Sequence, residues 1–342
     1  MKAYYSEPIE KDTKYRAEYL DGINAFLADE RAKSEEERKA FISPEKYAEN
    51  SEYFREKFVE TLGFPLTKNR EIPTAEKTYV TTDGNVRIYR MQFTFFGKLK
   101  TYGIYFEQTE NAKTAPFAFG FHGGLGTPEI VSSIYGNSGN YNHLVRRMTD
   151  RGANVFVPQF LLWSVETYGN DYNRQYIDGK LRQLGGSVTA LEVYFLQCIL
   201  DYFIEKEEVN AEKIGVAGLS YGGMYAVHFT AAEKRVKACY SCSWVNDCFV
   251  HSWADWSYFG AQKTFTTAET VGLIAPRPLV VAMGDKDNLF DYRLTVAECE
   301  KSKCYYRALQ AEDKFKYVVF DGGHETDKSD EELDFLFAAL HN

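Results

Sequence analysis

Three features of the sequence predict an α/β protein built on a mostly parallel twisted sheet, with an antiparallel N-terminal edge and a helical extension before it. From Lys113 onward, short apolar runs such as Phe117–Phe121, Val155–Val157, Ile214–Ala217 and Leu279–Met283 alternate with segments of helical composition. Strands apolar on both faces are covered on both faces, which is the condition of a parallel sheet between helical layers. Between Lys77 and Glu107 the period is instead two, in segments joined by Asp83-Gly84-Asn85 and Gly97-Lys98, both good hairpin turns. Before that, 26 of the first 65 residues are charged, and the apolar ones recur at helical spacing.

The extension, residues 1–76, opens with Tyr15, Tyr19, Ile23, Phe26 and Leu27 on one helical face. A second helix has Ser43 as N-cap and Pro44 at its first position, carries Tyr47, Phe54, Phe58 and Leu62, and ends at Gly63. Both faces need a cover, either the main body or a second subunit in a homo-oligomer. The body, residues 77–342, continues after the hairpins with strand Phe117–Phe121, helix Tyr141–Arg151, strand Val155–Val157, helix Ser187–Ile204 and strand Ile214–Ala217. A helix from Met224 to Ala232 follows, then strands Val236–Ser241 and Leu279–Met283, helix Tyr292–Leu309, strand Tyr317–Phe320 and helix Glu331–Leu340. Two connections, at about 159–186 and 242–276, are far longer than the usual link and hold all four tryptophans, Trp163, Trp244, Trp253 and Trp256. Both leave the carboxyl ends of strands, so these tryptophans are expected to wall a substrate pocket.

A net charge of −9 argues against nucleic acid or an anionic membrane as partner, since both require basic patches. The expected partner is a small molecule, uncharged or cationic. Met1–Glu10 has no apolar core of a signal peptide, and no run is long enough to span a bilayer. Six scattered cysteines suit a reducing, cytoplasmic setting. Cys239-x-x-Cys242 ends a strand rather than opening a helix and offers no zinc spacing, so it reads as buried thiols. Neither a metal nor a cofactor is called for.

Chemistry concentrates at Ile214–Gly223, I-G-V-A-G-L-S-Y-G-G. A buried strand, a tight turn of pattern G-x-S-x-G and a helix expose Ser220 above the sheet, and Gly218, Gly222 and Gly223 leave room for the neighbouring chain. A glycine-rich turn whose serine merely caps the helix would share part of this pattern. A serine hydroxyl needs a general base, and the base needs a carboxylate to orient it. Of six histidines, His324, in Asp321-Gly322-Gly323-His324-Glu325 after the last strand, has the right placement; His251 is the only other candidate. Asp285 and Asp287 both follow strand Leu279–Met283, and one suffices. His122-Gly123-Gly124 follows strand Phe117–Phe121 as an oxyanion loop. The backbone N–H groups of Tyr221 and Gly124 are the expected oxyanion donors.

Phe121-His122-Gly123-Gly124, the run from Leu200 through Val209–Val216 into the serine turn, Ile274–Leu279, and Gly284-x-x-Asp287 with Gly323-His324 together resemble the α/β-hydrolase superfamily. Within it the chain is similar to the dienelactone-hydrolase and acetyl-xylan-esterase-like branch. The resemblance implies a catalytic triad of Ser220, Asp287 and His324, with Asp285 a turn residue. Dienelactone hydrolases proper carry cysteine where this chain has Ser220, so the implied chemistry is that of a serine carboxylesterase. Acylated carbohydrates or aromatic acyl esters are the implied substrates. A serine peptidase of prolyl-oligopeptidase type shares the core, but the 76 residues before the sheet are too few and too helical for its propeller. A non-catalytic binding protein on the same fold is the alternative from another class.

Overall fold

The computed structural model describes residues 4–162 and 173–341. The chain begins with the long helix α1 (Glu10–Phe41), then α2 (Pro44–Glu49) and α3 (Ser51–Leu62), before the strands β1 (Thr74–Asp83), β2 (Val86–Phe95) and β3 (Leu99–Gln108). After these come β4 (Phe117–Phe121), α4 (Pro128–Val131), α5 (Leu144–Asp150), β5 (Asn154–Pro158), α6 (Arg174–Gln183), α7 (Val188–Lys206), β6 (Ile214–Leu219) and α8 (Tyr221–Ala232). The remainder is β7 (Val236–Cys242), α9 (Thr267–Gly272), β8 (Leu279–Gly284), α10 (Tyr292–Ala308), β9 (Phe315–Phe320) and α11 (Glu331–His341).

All nine strands join one sheet in the order β1-β2-β3-β5-β4-β6-β7-β8-β9. β1, β2 and β3 form an antiparallel meander, β3 meets β5 antiparallel, and the six strands from β5 to β9 are parallel. The mostly parallel sheet with an antiparallel edge is therefore present as expected. The chain leaves β4 toward β5 on one side and returns to β6 on the other, and a sheet of this kind places its site outside the carboxyl ends at that reversal. The register aligns Phe121 with Gly218, which sets the loop after β4 alongside the turn after β6.

Side chains along each central strand alternate between two apolar layers. Phe117, Phe119 and Phe121 of β4 share one layer with Phe58 of α3, Phe203 of α7 and Phe229 of α8. Ala118, with Ala217 of β6 and Val280 of β8, faces the other layer, which holds Leu144 and Met148 of α5 and Leu336 and Phe337 of α11. Every residue of β4, β5, β6 and β8 is buried, the physical reason their sequences lack alternation.

Two expectations change. The helix expected from Ser43 to Gly63 is two helices: Asn50 leaves helical geometry (φ −150°, ψ 63°), and its side chain accepts from Tyr53 N at 3.2 Å, ending one helix and capping the next. The connection at 159–186 carries a helix of its own, α6, started by Asn173 accepting from Tyr176 N at 2.9 Å. Tyr47, Phe54, Phe58 and Leu62 are buried as their spacing suggests, whereas Tyr15, Tyr19 and Phe26 remain exposed. Only the C-terminal part of α1 docks, through Arg31 to Asp247 (2.5 Å), Arg38 to the Gln262 carbonyl (2.7 Å), and Phe41 edge-on to Phe54 and Phe265. Among the described residues, no helix is long and apolar enough to cross a membrane.

Candidate active site

Ser220 occupies the turn between β6 and α8 with φ 60° and ψ −123°, a conformation that L-residues rarely adopt. Its own N–H donates to the Cys242 carbonyl at 2.8 Å, tying the turn to β7. A side chain at Gly218 would lie 2.3 Å from the Gly222 carbonyl oxygen, and one at Gly222 would lie 2.4 Å from that of Phe121. The flanking glycines are therefore a packing requirement of the turn.

Asp287 and His324 meet across the ends of β8 and β9: His324 Nδ1 donates to Asp287 Oδ2 at 2.8 Å. The other carboxylate oxygen accepts from the N–H groups of Leu289 (2.8 Å) and Phe290 (3.1 Å). Burial alone would push the Asp287 carboxyl up, but these bonds and the neighbouring imidazole outweigh it and hold it below the usual aspartate value. Asp285 instead accepts from Gly322 N at 3.2 Å, which ties the turn after β8 to the loop after β9. His251 packs edge-on to Phe290 and makes no bond to Asp287. Ser220 Oγ hydrogen-bonds no group among the described residues, and such contacts in substrate-free enzymes commonly tighten only on binding. The loops that carry these residues are knitted together. Tyr141 OH accepts from Gly123 N at 2.8 Å, Asn140 donates to the His324 carbonyl at 2.9 Å, and the Cys242 thiol reaches the Glu325 carbonyl at 3.2 Å.

The oxyanion loop is pinned by His122, which is fully buried. Its Nδ1 lies 2.9 Å from the Gly123 carbonyl, and Nε2 accepts from Phe160 N at 3.1 Å, which assigns the proton to Nδ1. Burial pushes its pKa down to about 4, so the ring is neutral and locks the end of β4 to the end of β5. The Gly123 N–H is taken by Tyr141, whereas that of Gly124 makes no hydrogen bond among the described residues.

Behind Tyr221 lies a charged cluster that sequence reasoning missed. Arg174, fully buried, donates to Asp255 (2.6 Å), to the Leu161 carbonyl (2.6 Å) and to Tyr225 OH (2.6 Å). Tyr221 OH donates to the same Asp255 oxygen at 2.8 Å. Burial opposes the arginine charge, but the surrounding Tyr225, Asp255 and Glu192 outweigh it and hold its pKa above the ordinary value. Burial pushes Glu192, 4.0 Å from Arg174, up to about 7. Arg174 and Asp255 come from the two long connections, so this pair clamps both to the residue after the serine. The four members are scattered from 174 to 255 in sequence, and only an arginine and an aspartate inside aromatic segments hinted at them.

The tryptophans divide. Trp163 lies outside the described residues, as do Tyr168 and Tyr172. Trp244 is buried against His228 of α8 (5.2 Å between rings) and, with His228 and Trp256, borders a second cavity of about 250 Å³. Trp253 is half-buried and Trp256 buried; both pack on the Tyr221 ring, and Trp256 and then Phe290 continue toward His324. A cavity of about 480 Å³ opens near the ends of β3 and β5, lined by Tyr102, Gly126, Glu129, Gln159 and Phe160 among others. All six cysteines are free, and burial pushes the Cys239 and Cys242 thiols up to about 12. Among the described residues, no group of three or more His, Cys, Asp or Glu is arranged to hold a metal ion.

Residues 129–302, just over half of the chain, match the pattern of the dienelactone hydrolase family. YtaP of Bacillus subtilis (strain 168), named as a hydrolase, is 29% identical over 153 residues, which is 41% of this chain and 50% of that protein; the match thus spans half the length of this curated relative. Among solved structures, BF1801 of Bacteroides fragilis NCTC 9343, proposed to be an acetyl xylan esterase, superposes with TM-score 0.64 at 13% identity, over 82% of this chain and 76% of that one. The glucuronoyl esterase from Solibacter usitatus gives 0.63 at 14% identity, over 84% and 91%. Acetyl xylan esterase 1 from Thermoanaerobacterium sp. JW/SL YS485 gives 0.55 at 15%, over 88% and 100%. These likenesses share the fold of the sheet and its covering helices, and the match across β5 to β8 carries the assignment: the chain belongs to the dienelactone hydrolase family and has the α/β-hydrolase fold.

Proposed function

We propose that the protein is a serine carboxylesterase acting on small acyl esters through an acyl-enzyme, with Ser220 as nucleophile, His324 as general base and acid, and Asp287 as its orienting carboxylate. The Asp287–His324 hydrogen bond of 2.8 Å, at the same sheet edge as a serine held at φ 60°, is the observation that carries this reading. Ser220 Oγ attacks the ester carbonyl while His324 Nε2 takes its proton, and the new oxyanion is held by the N–H groups of Tyr221 and Gly124. Collapse expels the alcohol, which receives the proton from His324. Water, deprotonated by the same imidazole, then cleaves the acyl-enzyme, and Ser220 leaves with the proton. Throughout, the Asp287 carboxylate stabilises the imidazolium and fixes its tautomer.

Acylated carbohydrates are the substrates we favour, supported by the acetyl xylan and glucuronoyl esterases that share the fold and by the aromatic faces of Trp253 and Phe290 beside the site. Hydrolysis of a chromogenic acetyl ester and acetate release from peracetylated xylose, each abolished in Ser220→Ala, are the expected results. Turnover of neither by a folded protein would reject the esterase, and turnover of the chromogenic ester alone would reject only the carbohydrate.

A further inference from the structure

The N-terminal half of α1 stands away from the body with its apolar side uncovered: Tyr15, Tyr19 and Phe26 are 70%, 74% and 61% exposed. Aromatic rings of this size each carry about 150–250 Å², so with Ile23 and Leu27 the row amounts to a patch larger than most monomers leave in water. We propose that a second copy of this chain covers it, the two α1 helices pairing antiparallel about a two-fold axis between Gly22 and Ile23.

The sequence of the row selects this partner and this direction. Asp12, Tyr19, Phe26 and Lys33 follow one another at intervals of seven, so they lie along one gently drifting stripe of the helix. Antiparallel pairing about that axis sets Tyr19 against Phe26 of the second copy and Asp12 against its Lys33, twice over by symmetry. Flanking charges agree: Arg16 comes opposite Asp29. Within each helix Asp12 already pairs with Arg16 (2.7 Å) and Lys33 with Glu30 (2.5 Å), so at each end the mixed pair Asp12–Arg16 meets Lys33 and Asp29 of the second copy, each charge opposite one of the other sign. Parallel pairing would instead set Asp12 against Asp12 and Lys33 against Lys33. Gly22, disfavoured inside a helix, has nothing within 4 Å of where its side chain would be, and at the axis it admits Ile23 of the second copy. A lipid surface is a poorer cover, because α1 carries nine acidic side chains against seven basic ones.

Sedimentation equilibrium of the full chain from about 1 to 100 μM, the range in which an interface of modest size associates, should show a dimer. Asp12→Lys and Lys33→Asp singly should each weaken it at least tenfold, since each creates two like-charged contacts, and the double variant should restore it. Tyr19→Glu with Phe26→Glu should give a monomer with unchanged helicity by circular dichroism. A wild-type monomer throughout this range would overturn the proposal, whether or not it binds vesicles of phosphatidylcholine and phosphatidylglycerol. So would a dimer indifferent to the charge reversals, or one weakened by each reversal and not rescued by both.

Discussion

Asp285 and Asp287 stand two residues apart in one turn, yet only Asp287 meets the imidazole. Asp287→Asn should therefore lower kcat by orders of magnitude, up to about 10⁴ as in the analogous protease triad, while Asp285→Asn should change it far less; steady-state kinetics of the two variants decides, and equal losses would reassign the acid. Position along the chain left these two carboxylates open, and only the resemblance to the α/β-hydrolase pattern G-x-x-D pointed to Asp287. Nothing local announces Arg174. Removing one partner of a buried ion pair strands the other charge, at a cost of roughly 3–5 kcal/mol. Arg174→Met and Asp255→Asn should each lose stability of that order in urea titrations, and kcat should fall as the Tyr221 ring loses its anchor. Arg174→Lys should not rescue, since the three bonds to Asp255, Leu161 and Tyr225 need the guanidinium fork.

At the scale of elements, the central strands and the serine turn were legible because burial on both faces and steric crowding write themselves into composition: β4 and β6 have no polar alternation, and Gly218 and Gly222 have no room for a side chain. The break at Asn50 was missed because its flanks are both helical and only the cap separates them. The long connections stood out by their length, but their tryptophans look alike in sequence, and their surroundings are set by contacts tens of residues away. Trp244→Ala should cost roughly 3–5 kcal/mol and leave the ratio of kcat/KM for a short and a bulky aromatic ester unchanged. Trp253→Ala, half-buried beside Tyr221, should keep near-native stability and shift that ratio by about tenfold, or roughly 1.4 kcal/mol. The reverse pattern would make Trp244 the substrate wall and Trp253 the anchor.

For the whole molecule, two buried histidines make stability depend on pH. His122 and His228 are pushed down from the ordinary 6.5 to about 4 by burial, so the unfolded chain takes up protons in that window and the folded chain does not. The stability they contribute is complete above about 6.5 and is lost as pH falls toward about 4, roughly 3 kcal/mol for each ring. Urea midpoints measured across this range should fall steeply, and His228→Gln should flatten the slope by about one proton; a flat profile would show that the rings are accessible when folded. Placement after strand ends put Ser220, the Asp285/Asp287 pair and His324 at one sheet edge, but how near they stand depends on the strand order, in which β7 separates β6 from β8. The central claim, that Ser220 is a nucleophile activated at that edge, is tested most directly by incubating the folded protein with a fluorophosphonate and locating the adduct by mass spectrometry. A single stoichiometric adduct on Ser220, lost in His324→Ala, is the expected result. An unmodified Ser220 in folded protein, or equal labelling without His324, would contradict it.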